Sequence, residues 1–151
     1  MKEFKILLVD DEEDFVKTLA ERLSIKQVIQ KAPGVALTGE AALASLQDEV
    51  PDVMVLDLRM PGIDGLEVLK KVKKHYPDVQ VVILTGHGSD KDREEAERLG
   101  AFDYLEKPVN IDTLVTTIRK ALAQKWDESM VAGTFAEAGE FEAAEGFLKE
   151  K

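Results

Sequence analysis

The sequence predicts an α/β fold in which five strands alternate with five helices and the strands form one parallel sheet covered on both faces. Three observations lead there. Short apolar runs, without the polar alternation of a half-exposed strand, recur along the chain. Between them lie stretches with helical spacing or strong helix formers. The polar residues with chemical capacity fall just after the apolar runs, and open parallel sheets bind ligands at the carboxyl ends of their strands, beside a topological switch point.

The run Phe4 to Val9 is too short for a helix and apolar enough for a buried first strand. Phe15, Leu19 and Leu23 then recur at helical spacing. A second strand is placed near Gln27 to Lys31, although nothing marks it well. Glu40 to Gln47 has strong helix propensity. Pro51 opens the third strand, Val53 to Leu56, which ends at Asp57. Pro61 to Gly65 reads as a loop, and Leu66, Leu69 and Val72 mark a helix that stops before Pro77. Val79 to Leu84 is the most strand-like run of all. Asp90 to Leu99 is a polar helix closed by Gly100, followed by a short strand, Phe102 to Leu105. Asn110 or Asp112 can cap a last helix running through Leu114, Ile118 and Leu122.

Composition narrows the function classes. The chain has 151 residues and a 44% hydrophobic fraction, enough for one domain with a core and a short remainder. A net charge of −10 disfavours DNA and anionic membranes as general partners. The absence of cysteine excludes disulfides, thiolate metal sites and cysteine nucleophiles. The apolar runs are too short for a signal peptide or a membrane span, so a soluble cytoplasmic protein is expected.

Asp10 and Asp11 follow the first strand, Asp57 the third, Thr85 the fourth, and Lys107 with Pro108 the fifth. In a parallel sheet these converge on one shallow pocket. Three carboxylates together repel unless a hard cation lies among them, and an oxygen-only ligand set favours Mg²⁺. One carboxylate can serve as a nucleophile toward phosphorus. The oxygens of a phosphoryl group could then be met by Mg²⁺, the Lys107 ammonium and the Thr85 hydroxyl. Asp57, alone at a central strand end, is the nucleophile candidate, and the adjacent Asp10 and Asp11 are the metal ligands. Singly, each has an ordinary reading: a solvated turn, a helix cap, a structural threonine, a common Lys–Pro pair. Their order, each at a strand end, makes coincidence a poor account.

The segments Leu7 to Glu12, Val55 to Gly65, Val82 to Gly86 and Gly100 to Pro108 resemble those of the bacterial two-component response-regulator receiver family, over about residues 3 to 124. The resemblance implies a flavodoxin-like (βα)5 three-layer sandwich with strand order 2-1-3-4-5. It implies phosphotransfer to Asp57 from a sensor histidine kinase or phosphotransfer protein, with the chain catalysing its own phosphotransfer and slow dephosphorylation. It implies Mg²⁺ held by Asp11, Asp57 and the backbone carbonyl of Arg59, with Asp10 acting through water. Thr85 and Tyr104 are then the switch pair that carries the change to a downstream protein partner. On its residues alone, Tyr104 reads equally well as a half-buried aromatic on an edge strand. Arg59 and His87 occupy positions that in this family flank access to the phosphoryl group and are candidate modulators, although His87 also reads as a plain loop residue.

The chain departs from the family pattern between Ser24 and Gly39, where Pro33-Gly34 falls in what is usually a short link, so the second strand is expected to be shortened or shifted. After residue 124 the resemblance ends. Trp126 to Lys151 carries seven acids and two lysines, a net −5. This acidic extension, 125–151, is too short and acidic for a DNA-reading helix pair, so the expectation is a stand-alone receiver without direct DNA binding. Its Gly-x-Phe-x-x-Ala-x-x-Phe spacing from Gly139 to Phe147 is similar to part of a tetratricopeptide repeat, or is a generic amphipathic helix. The resemblance also leaves room for a homodimer through the face made by the fourth helix, fifth strand and fifth helix. Two other readings compete. A haloacid-dehalogenase-like phosphohydrolase would want a second acid two residues after the nucleophile, where Arg59 stands. An adaptor of the same fold that is never phosphorylated would not need the full acidic set.

Overall fold

The computed structural model describes residues 4–25 and 32–132. The elements follow in the order β1 (Ile6–Val9), α1 (Glu13–Ile25), β2 (Gly34–Ala36), α2 (Gly39–Ser45), β3 (Val53–Leu56), α3 (Gly65–His75), β4 (Gln80–Thr85), α4 (Asp90–Arg98), β5 (Asp103–Glu106) and α5 (Ile111–Ala132). All neighbouring strands pair in parallel, in the order β2-β1-β3-β4-β5. This is the flavodoxin-like arrangement.

Period-two geometry splits each strand between two cores. Leu7, Val9, Met54, Leu56, Val81 and Ile83 face α2, α3 and α4, where Ala42, Val68, Leu69, Val72 and Ala96 meet them. Ile6, Leu8, Val53, Val55, Val82 and Leu84 face α1 and α5, against Val16, Leu19, Leu23, Leu114 and Ile118. Residues on both faces of β1, β3 and β4 are buried, which explains the continuous apolar runs.

Helix starts follow the cap chemistry. Thr38, Asp64 and Ser89 cap α2, α3 and α4 with side-chain oxygens, and Asn110 accepts from the Asp112 N–H at 2.7 Å to open α5. At the far end of α4, Gly100 takes a φ of +99°, a left-handed conformation that favours glycine.

The second strand is the main local difference from expectation. The stretch 27–31 lies outside the described residues. The strand paired with β1 is only Gly34–Ala36, and Pro33 immediately precedes it. An edge strand needs few residues, because only one side must be paired. Helix α5 continues to Ala132 without a break at residue 124. The acidic segment from residue 133 onward, including the repeat-like spacing after Gly139, lies outside the described residues. Among the described residues, no helix is long and apolar enough to cross a membrane.

Candidate functional site

The carboxyl end of the sheet is built by backbone bonds that continue past the strands. The Asp10 N–H donates to the Ala36 carbonyl at 3.1 Å, the Asp57 N–H to Val9 at 2.9 Å, and the Lys107 N–H to Thr85 at 3.0 Å. These bonds hold the three loops level with one another. Gly65 fixes the β3–α3 loop from behind. A Cβ there would lie 2.5 Å from both the Asp57 carbonyl oxygen and the Leu58 Cα, so the first turn of α3 can approach the Asp57 backbone only because residue 65 has no side chain.

Asp10, Asp11 and Asp57 each offer a carboxylate oxygen within 4.8 Å of the others. Asp10 and Asp57 are buried and Asp11 is exposed. One Asp10 oxygen accepts from the Glu12 N–H at 2.9 Å, and the other meets the Lys107 ammonium at 2.7 Å. Lys107 also lies 2.8 Å from Glu12 Oε1 and 3.6 Å from Asp57 Oδ2, with its ammonium 4.5 Å from the centre of the Phe15 ring. Burial raises the Asp10 carboxyl above its ordinary value, only partly offset by the Lys107 hydrogen bond. For Lys107, burial acts downward, but its hydrogen bonds to Asp10 and Glu12 outweigh it and hold the ammonium above its usual range. The same hydrogen bond lowers Glu12. The cluster therefore contains a permanently charged cation beside an oxygen-only set of acids. Such a set fits a hard divalent cation, which would relieve the remaining negative charge.

Thr85 is fully buried at the end of β4, and its hydroxyl oxygen accepts a long hydrogen bond, 3.4 Å, from the His87 N–H. Tyr104 is also buried, more deeply than the half-buried position its edge strand had indicated. Its ring fills the space above Gly88, and the Arg93 guanidinium covers it at 4.5 Å from the ring centre. Among the described residues its hydroxyl has no hydrogen-bond partner, and burial pushes the phenol pKa up from its ordinary value of 10.0. His87 is exposed, and its carbonyl accepts from Arg59 Nε at 3.4 Å. The Arg59 N–H points to Asp57 Oδ1 at 3.3 Å.

The structure thus brings Asp10, Asp11, Asp57 and Lys107 into one cluster, with Arg59 at its rim. Sequence reasoning assigned no part to Glu12, Phe15, Gly65, Gly88 or Asp92. Glu12 is one acid among several after β1, and nothing in its neighbours distinguishes it from Asp14. The contacts of Gly88 with Tyr104 and of Asp92 with Arg59 come from segments distant in the chain.

A family model, the response regulator receiver domain, matches residues 6–119. The DNA-binding transcriptional regulator NtrC of Salmonella typhimurium is 40% identical over 107 residues, which cover 66% of this chain and 23% of that protein. The chain thus spans about a quarter of the length of such curated relatives. Among solved structures, the receiver domain of NtrX from Brucella abortus is similar at a TM-score of 0.71 and 36% identity, covering 78% of this chain and 97% of that one. A receiver domain protein from Methanospirillum hungatei is similar at a TM-score of 0.79 and 26% identity, covering 84% and 99%. With its strand order, its cluster of strand-end acids and these similarities together, the chain belongs to the receiver domain family of two-component response regulators.

Proposed function

We propose that Asp57 is the phosphoacceptor of this receiver domain. The observation that supports it most is the Lys107 ammonium, 3.6 Å from an Asp57 oxygen at the buried centre of an acidic cluster. A carboxylate oxygen of Asp57 attacks the phosphorus of a phosphohistidine on a sensor kinase or phosphotransfer protein. The O–P bond forms as the P–N bond breaks, and the imidazole nitrogen keeps the electron pair and takes up a proton. Asp57 then carries an acyl phosphate. Lys107 offsets the charge of one of its oxygens, and the Thr85 hydroxyl donates a hydrogen bond to another. Asp10, Asp11 and Asp57, with the Arg59 carbonyl, would hold Mg²⁺, which when bound would offset the charge gathering on the phosphoryl oxygens. A groove lined by Phe15, Leu19, Arg22, Val109 and Ile111 opens beside Lys107 and offers a surface for the phosphodonor protein.

The output is a change around Thr85 and Tyr104, read by a protein partner. The receiver domain is assigned to residues 1–124 and the acidic remainder, 125–151, to an extension that relays or tethers. Helix α5 favours a physical link, because Lys125 pairs with the buried Asp52 at 3.1 Å as the helix leaves the domain.

Incubation with acetyl phosphate and Mg²⁺ should add one phosphoryl mass, labile to hydroxylamine. Asp57→Asn should abolish it, because an amide is not a nucleophile. Unchanged labelling of that variant would sink the assignment.

A further inference from the structure

A contact outside the acidic cluster joins the β3–α3 loop to α4. The Arg59 guanidinium makes an ion pair with Asp92 in the first turn of α4, across 33 residues of sequence. Its Nε–H also reaches the His87 carbonyl. The Asp92 side chain is 13% exposed, so the pair is shielded on the acid's side, while Arg59 at 45% retains access to solvent. Asp92 has a second duty. Its Oδ2 accepts the Ser89 N–H at 3.2 Å while the Ser89 hydroxyl oxygen accepts the Asp92 N–H, the reciprocal pair that starts α4. The next residue, Arg93, covers the Tyr104 ring and pairs with Glu106 at 3.5 Å. Two consecutive residues of one helical turn therefore hold the loop that follows Asp57 and the aromatic of β5.

The backbone of Arg59 is anchored at the Asp57 carboxylate while its side chain is drawn away toward α4. Asp92 offers that guanidinium a single negative charge. A phosphoryl group on Asp57 would offer about −1.5 to −2 and three acceptor oxygens. Guanidinium binds carboxylates and phosphoryl groups by the same two-pronged geometry, so the two acids compete for one cation. We propose that Asp92 is a positioning residue that holds Arg59 off the phosphoryl site, and that an anion on Asp57 draws Arg59 away and loosens the first turn of α4. The inference rests on the assignment of Asp57 as phosphoacceptor. It makes α4 responsive to charge at Asp57 by a route separate from Thr85 and Lys107.

The test uses the full chain and beryllofluoride with Mg²⁺, a stable anion that occupies the place of a phosphoryl group, with affinity measured by titration calorimetry. Asp92→Asn keeps an oxygen for the Ser89 N–H but loses the charge that holds Arg59. It should bind beryllofluoride about two- to fivefold more tightly than wild type, the range expected for release of a partly exposed ion pair. In an Arg59→Gln background the same substitution should have no effect, because the competing cation is gone. Equal affinity of wild type and Asp92→Asn overturns the proposal. So does a gain of the same size in the Arg59→Gln background, which would trace it to general charge or to the helix cap. Failure of the wild-type chain to bind the anion at all would remove the phosphoacceptor assignment itself and this inference with it.

Discussion

Gly88 is the position at which a single methyl group should displace the Tyr104 ring. Its φ is not in the left-handed region, so alanine meets no backbone penalty; the constraint is space. A Cβ on residue 88 would lie 1.6 Å from the Tyr104 hydroxyl oxygen and 2.9 Å from the ring carbon that bears it. The ring is the far end of a rotatable side chain, so Gly88→Ala should expel it rather than unfold the domain. Leaving the pocket forfeits burial of an aromatic side chain, about 1.5–3 kcal/mol, and the Arg93 contact, about 0.5–1 kcal/mol at a partly exposed site. Against that, the unpartnered hydroxyl regains water, which returns about 1–3 kcal/mol. The net is a modest loss of about 1 kcal/mol, with Tyr104 locked outward. Denaturant unfolding followed by circular dichroism gives the stability. Tyrosinate absorbance, taken as the difference from a Tyr104→Phe variant in each background, gives the ring's exposure. Once exposed, the phenol should return toward 10.0 from its raised value. A Gly88→Ala protein in which the phenol stays raised and stability is unchanged would refute the packing argument.

Three further outcomes are expected. Because burial raises the Tyr104 phenol in the folded state, its contribution to stability is complete below pH 10.0 and is lost as pH rises through the folded value. Tyr104→Phe should remove that alkaline loss and, by deleting an unpartnered hydroxyl, should not destabilise the protein at neutral pH, as denaturant midpoints across the pH range will show. Gly65→Ala should destabilise by about 1–3 kcal/mol, toward the upper end because the obstructing atoms are backbone and cannot rotate aside; it should also slow acetyl phosphate labelling by displacing Asp57. Mg²⁺ at about a hundredfold over its dissociation constant should stabilise the wild type by roughly 2.7 kcal/mol in thermal unfolding. Asp11→Asn should raise metal-free stability by relieving repulsion within the carboxylate cluster, and should weaken the Mg²⁺ effect. A variant less stable than wild type without metal would contradict the clustering.

The sequence by itself determined the order of elements and the class of fold. The uninterrupted apolar runs at 53–56 and 81–84 are satisfied by strands buried on both faces, and both lie in the interior of the sheet. The helix end at Gly100 and the cap at Asn110 were equally local, because each acts through neighbours a few residues away. The strand-end residues Asp10, Asp57, Thr85 and Lys107 were legible because topology alone carries strand ends to one edge. The second strand was not legible where it was sought, since a three-residue edge strand buries too little to leave an apolar signature. Only tertiary structure decided which charge meets which. Glu12 holds Lys107 because the segments after β1 and β5 meet above the sheet, and Asp92 holds Arg59 because the start of α4 lies beside the segment after β3. Gly88 and Gly65 became constraints only when Tyr104 and the Asp57 backbone were brought against them. Pairings of this kind depend on distances between segments far apart in the chain, and no local pattern of residues encodes such a distance.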